Sequence, residues 1–243
     1  MLTCPFSGSL TCPLNSVLGD RENHSMLNCE FVGIAALAGL VAFVGDFAIP
    51  FVLAFFYPNY NHLKLVQSEL GTKLSPVSIW MNLWWVFFGF LCILFSIGFA
   101  QAFAASGGPV RVVATMIIIF GLGAGIGAGL FPQEPGGAET TVSGKLHGIC
   151  AGIGELAIII VPLLNLWVFS KVVHPALYWG SLVAFILSAF IFSLFLCGKN
   201  APPRGVLSYV GLWQRAYFLI VYLYLGTIAV EMIRVARPCG PAT

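Results

Sequence analysis

The sequence predicts an all-α fold: a polytopic membrane helix bundle of about six transmembrane helices. Three observations predict it. Of the 243 residues, 59% are hydrophobic and only 8% are charged, whereas a soluble domain carries about 25% charged residues. The mean hydropathy is +0.95, so most of the surface must face something other than water. The apolar residues form continuous runs instead of alternating with polar ones, which indicates helices and not a β-barrel.

A helix needs roughly 20 apolar residues to cross the hydrocarbon core. Six segments qualify: 31–57, 77–104, 109–131, 146–170, 177–197 and 214–235. The first carries Asp46 and, four residues on, Pro50, which cannot donate to the Asp46 carbonyl and leaves it free. It is followed by a polar stretch from Pro58 to Pro76. Helix 2 ends at the tight turn Ser106-Gly107-Gly108-Pro109. Helix 3 holds Gly121, Gly125 and Gly129 at four-residue spacing on one face, with Gly123 and Gly127 between them. A face without side chains lets a neighbour approach closely, and Gly148 and Gly152 on helix 4 make that helix the expected neighbour. The Gly/Pro-rich stretch Pro132–Lys145 precedes helix 4, which opens with His147 and carries Glu155. Lys171–Ala176 and a loop containing Pro202-Pro203 flank helix 5. Residues 1–30 read as a polar, cysteine-containing tail, 31–235 as the transmembrane domain and 236–243 as a short C-terminal tail. No basic segment leads into a short apolar core, so tail and first span are expected to stay in the mature protein.

Charge and cysteine usage narrow the function. A net charge of +2 excludes a strongly basic nucleic-acid binder. Of seven cysteines, Cys92, Cys150 and Cys197 lie in apolar runs, and Cys4 and Cys12 would pair only in an oxidising compartment. No CxxC or Cys/His spacing suggests zinc, and His24, His62 and His174 lie in connections, so paired haem ligands at helix depth are missing. No cofactor and no metal is expected. Six spans place both termini on one side. That side holds Arg21, Arg111, Lys171, Arg234 and Arg237; the other holds Lys64, Lys73, Lys145, Lys199, Arg204 and Arg215. Five against six leaves the orientation undecided.

Charges at membrane depth cost about 2.5–3.5 kcal/mol each on insertion scales, so each needs a reason. Glu231 lies near a helix end with Arg234 one turn on, as an interfacial ion pair would. Asp46 and Glu155 are both expected about mid-plane, roughly 16 and 13 Å along their helices from the side opposite the termini, near enough to share a proton. They are the candidate catalytic acids, with His147 on roughly the same helix face as Glu155. The competing reading is that both carboxyls are hydrogen-bonded to neighbouring helices and hold the bundle in register.

Three connections on that side carry distinctive wording. Loop 1 reads Pro58-Asn59-Tyr60, then Ser68-Glu69-Leu70-Gly71. Helix 3 exits through Phe131-Pro132, followed by Ser143-Gly144-Lys145-Leu146-His147. Helix 6 is announced by Gly211-Leu212-Trp213-Gln214-Arg215. In order and spacing these segments resemble the uncharacterised membrane family of domain of unknown function 998, over roughly residues 31–235. The resemblance implies a six-helix bundle and brings no established reaction; Asp46 and Glu155 match none of its motifs. All three regions fall on one side, so Tyr60, Ser68, Glu69, His147 and Arg215 are expected at one mouth. Tyr60, Ser68, Glu69 and Arg215 are the candidate ligand contacts. The structural alternative is a Glu69–Arg215 ion pair, with Ser68 capping a helix.

Three functions compete. The first is binding or transfer of a membrane lipid or other hydrophobic small molecule in a polar-mouthed cavity. The second is an intramembrane enzyme, using a buried Asp or Glu as general acid on a hydrophobic substrate in the manner of terpene cyclases, or hydrolysis by Ser68 and His147. The third is a structural subunit that meets membrane-protein partners through its glycine faces. No nucleic-acid partner is expected.

Overall fold

The computed structural model describes residues 13–137, 139–200 and 205–237. The expected tail pairing of Cys4 with Cys12 lies outside the described residues. Helix α1 runs Pro13–Ala54 and reaches back into the stretch expected as a tail. Its span begins at Cys29. Then follow α2, Ser78–Ala102; α3, Gly108–Leu130; α4, Val142–Leu164; α5, Pro175–Asn200; and α6, Val210–Ala236. These six helices are long and apolar enough to cross a membrane. Exposed Ile, Leu, Val and Phe side chains cover the outside of the bundle, as a lipid-facing surface requires.

The helices form a ring. Each packs on its neighbours in chain order, and α6 closes the circle against α1. Inside lie Phe43, Phe88, Phe95, Phe120, Tyr217 and Leu225, all buried. The direct α4–α6 pairing is sparse, and that gap is where the ring stays open inside.

Helix α3 departs from the uniform helix expected. Gly121–Gly127 is π-helical, between regular turns on either side. Glycine at every second position supplies two bare faces instead of one. Gly121, Gly125 and Gly129 lie against Gly89, Trp85 and Asn82 of α2, whereas Gly123 and Gly127 lie against Cys150 and Gly154 of α4. The expected α3–α4 packing is present, but it uses the other glycine set. Gly148 sits under Glu139, and a side chain at Gly152 would enter open space.

Helix α4 starts at Val142, earlier than its hydropathy suggests, because Thr141 caps it: the Thr141 hydroxyl accepts from the Gly144 N–H at 3.2 Å. A cap satisfies an otherwise orphaned N–H, so a helix can begin in a polar sequence. Helix α6 likewise starts at Val210, which puts Gln214 and Arg215 inside its first turns.

Candidate functional site

Loop 1 is not a surface connection. Gln67–Gly71 forms a 3-10 turn that inserts among α1, α2 and α6 on the side opposite the termini. The Gln67 N–H donates to Oε1 of Gln214 at 2.7 Å. Its side-chain Nε2 donates to the Asp46 carbonyl at 3.0 Å. The carbonyl that Pro50 leaves without a helical partner is therefore satisfied by a loop glutamine. Leu70 is fully buried with Val77, Met81, Trp85 and Ala128. Gly71 tolerates no side chain, because a Cβ there would lie 2.7 Å from Asn82 Oδ1 and 2.8 Å from the Trp85 ring. Its carbonyl accepts from Ser78 and Asn82, each at 3.0 Å. Glu69 accepts the N–H of Gly136 through Oε1 at 2.6 Å, tying loop 1 to the loop after α3. Burial holds the Glu69 carboxyl above the ordinary carboxylate range, partly offset by that bond.

Arg215 fastens the other end of loop 1. Its Nη1 donates to the carbonyls of His62, Leu65 and Gly211 at 2.8, 3.0 and 2.9 Å. Its Nη2 donates to the Tyr60 hydroxyl at 2.6 Å, and Tyr60 in turn donates to the Val66 carbonyl at 2.9 Å. Phe51 and Tyr60 flank the guanidinium. Desolvation pushes Tyr60 up and His62 down from their ordinary values; the neighbouring cation lowers both. The Glu69–Arg215 ion pair entertained from the sequence is not formed: Glu69 is turned to the Gly136 backbone and Arg215 to carbonyl dipoles. Nor does Ser68 cap a helix; residues Val66 and Val77 stand at the two N-caps, neither with a side-chain bond.

Asp46 is buried and bonded through both oxygens. Trp84 Nε1 donates to Oδ1 at 3.0 Å and the Tyr222 hydroxyl to Oδ2 at 2.7 Å. Tyr222 is held by stacking between Phe43 and Phe218. Three helices thus meet on one carboxyl, as the register-holding alternative requires. Glu155 does not share a proton with Asp46 by any hydrogen bond among the described residues. The observed helix ends put the two acids roughly 12 and 20 Å along α1 and α4. Tyr217 and Gln214 of α6 approach Glu155, the Tyr217 hydroxyl without completing a hydrogen bond.

His147 is buried, and its Nδ1 lies 2.9 Å from the Phe131 carbonyl and 3.2 Å from that of Ala128. Carbonyls only accept, so Nδ1 carries a proton, and in the neutral ring Nε2 then holds the lone pair. Trp85 lies beside the ring.

These groups surround a cavity of about 710 Å³. It runs from loop 1 and the loop after α3 down to Asp46 and Glu155. Ser68, Glu69, Gln133 and His147 line its upper part with Lys64 and Lys199 at the rim; Phe88, Phe120, Phe192, Phe218 and Tyr222 line the rest. Of the candidates read from the sequence, Asp46, Glu155, His147, Ser68 and Glu69 come together on its wall, while Tyr60 and Arg215 stand behind it. Sequence reasoning passed over Gln67, Gln133, Lys199 and Tyr222. A signal existed for Tyr222, which lies seven residues after Arg215 and so on the same face of α6. Among the described residues no three His, Cys, Asp or Glu side chains group as a metal site.

A family model described as a protein of unknown function (DUF998) matches residues 18–231. No curated protein and no solved structure matches the chain.

Proposed function

The chain belongs to the DUF998 family of proteins of unknown function, and since that membership brings no reaction with it, we propose from the cavity itself that this multi-pass membrane protein binds or transfers a lipid or other membrane-soluble small molecule. The observation that carries the reading is the division of one cavity into a polar mouth and an aromatic interior. Its volume of about 710 Å³ lies within the usual range for small-molecule sites. The flank between α4 and α5 supports entry from the bilayer. Leu156 and Leu196 both line the cavity and are exposed on the outside of the bundle, and Gly152, also on the lining, leaves open space. The enzyme reading is weakened for Asp46, because Trp84 and Tyr222 already occupy its oxygens, and rests on Glu155.

The test is lipid and metabolite mass spectrometry on the protein in native nanodiscs, beside Gly152→Leu, which fills the cavity from a position with room for a side chain. A specific molecule should be enriched in the wild type and lost from the variant. Bulk lipid alone in both samples would sink the reading.

A further inference from the structure

The less exposed lining of the cavity is acidic, with Asp46, Glu69 and Glu155, and its exposed rim is mixed, with Lys64, Lys199 and Glu139. Arg215, the buried cation nearby, is outside the lining and already committed to three carbonyls and a tyrosine hydroxyl. The polar groups left with capacity are mainly acceptors. Glu69 is 7% exposed and uses one oxygen on Gly136. His147 is 4% exposed and offers the Nε2 lone pair. A carboxylate has about four acceptor positions; Tyr217 and Gln214 are the side chains that approach Glu155, and the exposed Lys199 acts on it through space. Gln133, 9% exposed, has a carboxamide without a hydrogen bond among the described residues and serves either role. Aromatic rings make up much of the remaining wall, and their faces attract cations while their area attracts hydrocarbon.

We propose that the cavity selects an amphiphile with a cationic head, a protonated amine on an apolar chain, whose ammonium lies at Glu155 and whose chain leaves between α4 and α5 past Gly152 and Leu156. The inference rests on the cavity being a ligand site, as read above, and adds the charge of the ligand. Glu155 and Leu156 are consecutive, so a head at the carboxyl and a tail at the lipid-facing gap are reached at one depth. An anionic head at Glu155 would meet the carboxyl groups of Asp46, Glu69 and Glu155, and the lining cations among the described residues, Lys64 and Lys199, stand exposed at the rim beside Glu139. The hydrophobic chain then delivers the head from the membrane side.

The experiment titrates three probes of equal chain length, dodecylamine, dodecanol and dodecanoate, into the protein in phosphatidylcholine nanodiscs, with empty discs as the reference. Dodecylamine should bind at least roughly tenfold more tightly than either of the others, and Glu155→Gln should lose about that factor. Gly152→Leu, which adds bulk where nothing is displaced, should lose the same binding while folding normally. It keeps the test decisive if the glutamine variant does not fold. Equal or tighter binding of dodecanol or dodecanoate would overturn the cationic head while leaving a ligand cavity in place. Unchanged dodecylamine binding in Gly152→Leu would overturn the assigned route and site. Binding of none of the three above empty discs, together with nanodisc extracts holding bulk lipid alone, would overturn both readings.

Discussion

Removing the Arg215 guanidinium should unfasten loop 1 from α6. Four contacts under 3.1 Å are at stake, but they are not equal. Nη1 has two protons for three carbonyls, and the Gly211 carbonyl belongs to the helix that carries Arg215, so its loss matters least. What remains is two or three hydrogen bonds from a charged donor, each worth about 1.5–3 kcal/mol net. Water can reach part of the half-buried His62 and Leu65 region once the side chain is gone, which trims the total towards the low end. We expect Arg215→Ala to cost about 3 kcal/mol. At roughly 2–4 °C per kcal/mol for a chain of this size, that is a Tm lower by roughly 6–12 °C. The assay is thermal unfolding in nanodiscs, followed by circular dichroism and tryptophan emission. Arg215→Lys should recover less than half, since one ammonium cannot address the loop carbonyls and Tyr60 together. Tyr60→Phe alone should cost about 1 kcal/mol. Combined with Arg215→Ala it should cost less than the sum, because both changes delete one bond. A Tm for Arg215→Ala within about 2 °C of wild type, or strict additivity of the pair, would refute the fastening role.

Two further outcomes follow from the same geometry. Glu69 has its carboxyl raised above 4.5 by burial, so the folded state holds this proton more tightly than the unfolded chain; stability should fall as pH climbs from about 4.5 through the raised value and then level off. Glu69→Gln should flatten that part of the profile, and identical melting profiles for both proteins between about pH 4 and 8 would count against it. The second outcome contrasts two glycines. A Cβ at Gly125 would lie 2.6 Å from the Gly89 Cα, where backbone cannot yield, while one at Gly152 meets nothing. Gly125→Val should therefore cost about 3 kcal/mol or prevent assembly of α2 against α3, and Gly152→Val under about 1 kcal/mol. Equal stability of the two variants would contradict the close approach.

The six spans were legible because a bilayer demands long apolar runs and leaves few alternatives for the backbone. Their ends were less legible. Thr141 starts α4 by a hydrogen bond to Gly144, which hydropathy does not register. The glycine pattern on α3 announced close packing, yet the assignment to α4 was made on spacing for a 3.6-residue helix. Gly121, Gly125 and Gly129 do share a face, but that face meets α2 while Gly123 and Gly127 meet α4, and spacing alone does not say which neighbour a bare face receives. Asp46 was recognised as a residue needing a partner; that Trp84, Tyr222 and a loop glutamine supply its partners is a matter of tertiary packing between helices up to 176 positions apart. The Glu69–Arg215 pairing failed for a local reason. Loop 1 offers Arg215 two backbone carbonyls and a tyrosine hydroxyl, and a third carbonyl comes from Gly211 of its own helix.

The accounting of polar groups separates architecture from function more sharply than the motif wording does. Within Gln67-Ser68-Glu69-Leu70-Gly71, Gln67 is spent on Asp46 and Gln214, Leu70 on the core, and Gly71 on the Trp85 and Asn82 side chains. Arg215 and Tyr60 are spent on loop 1, and Asp46 on α2 and α6. A membrane interior favours such pairing, since an unpaired buried polar group costs several kcal/mol there, although Arg215 Nε, Asn82 Oδ1 and the Asn165 carboxamide are left without a hydrogen bond. Groups around one cavity that retain bonding capacity are the feature on which the proposed ligand site rests. Here they are one oxygen of Glu69, the Nε2 of His147, the Gln133 carboxamide, the Ser68 hydroxyl and Glu155, and they converge where α4 and α6 fail to pack. Bulk lipid tails can fill such a space but cannot satisfy those groups. An amphiphile that brings hydrogen-bond donors can do both, and this is the ground on which we propose a binding site there instead of a packing defect.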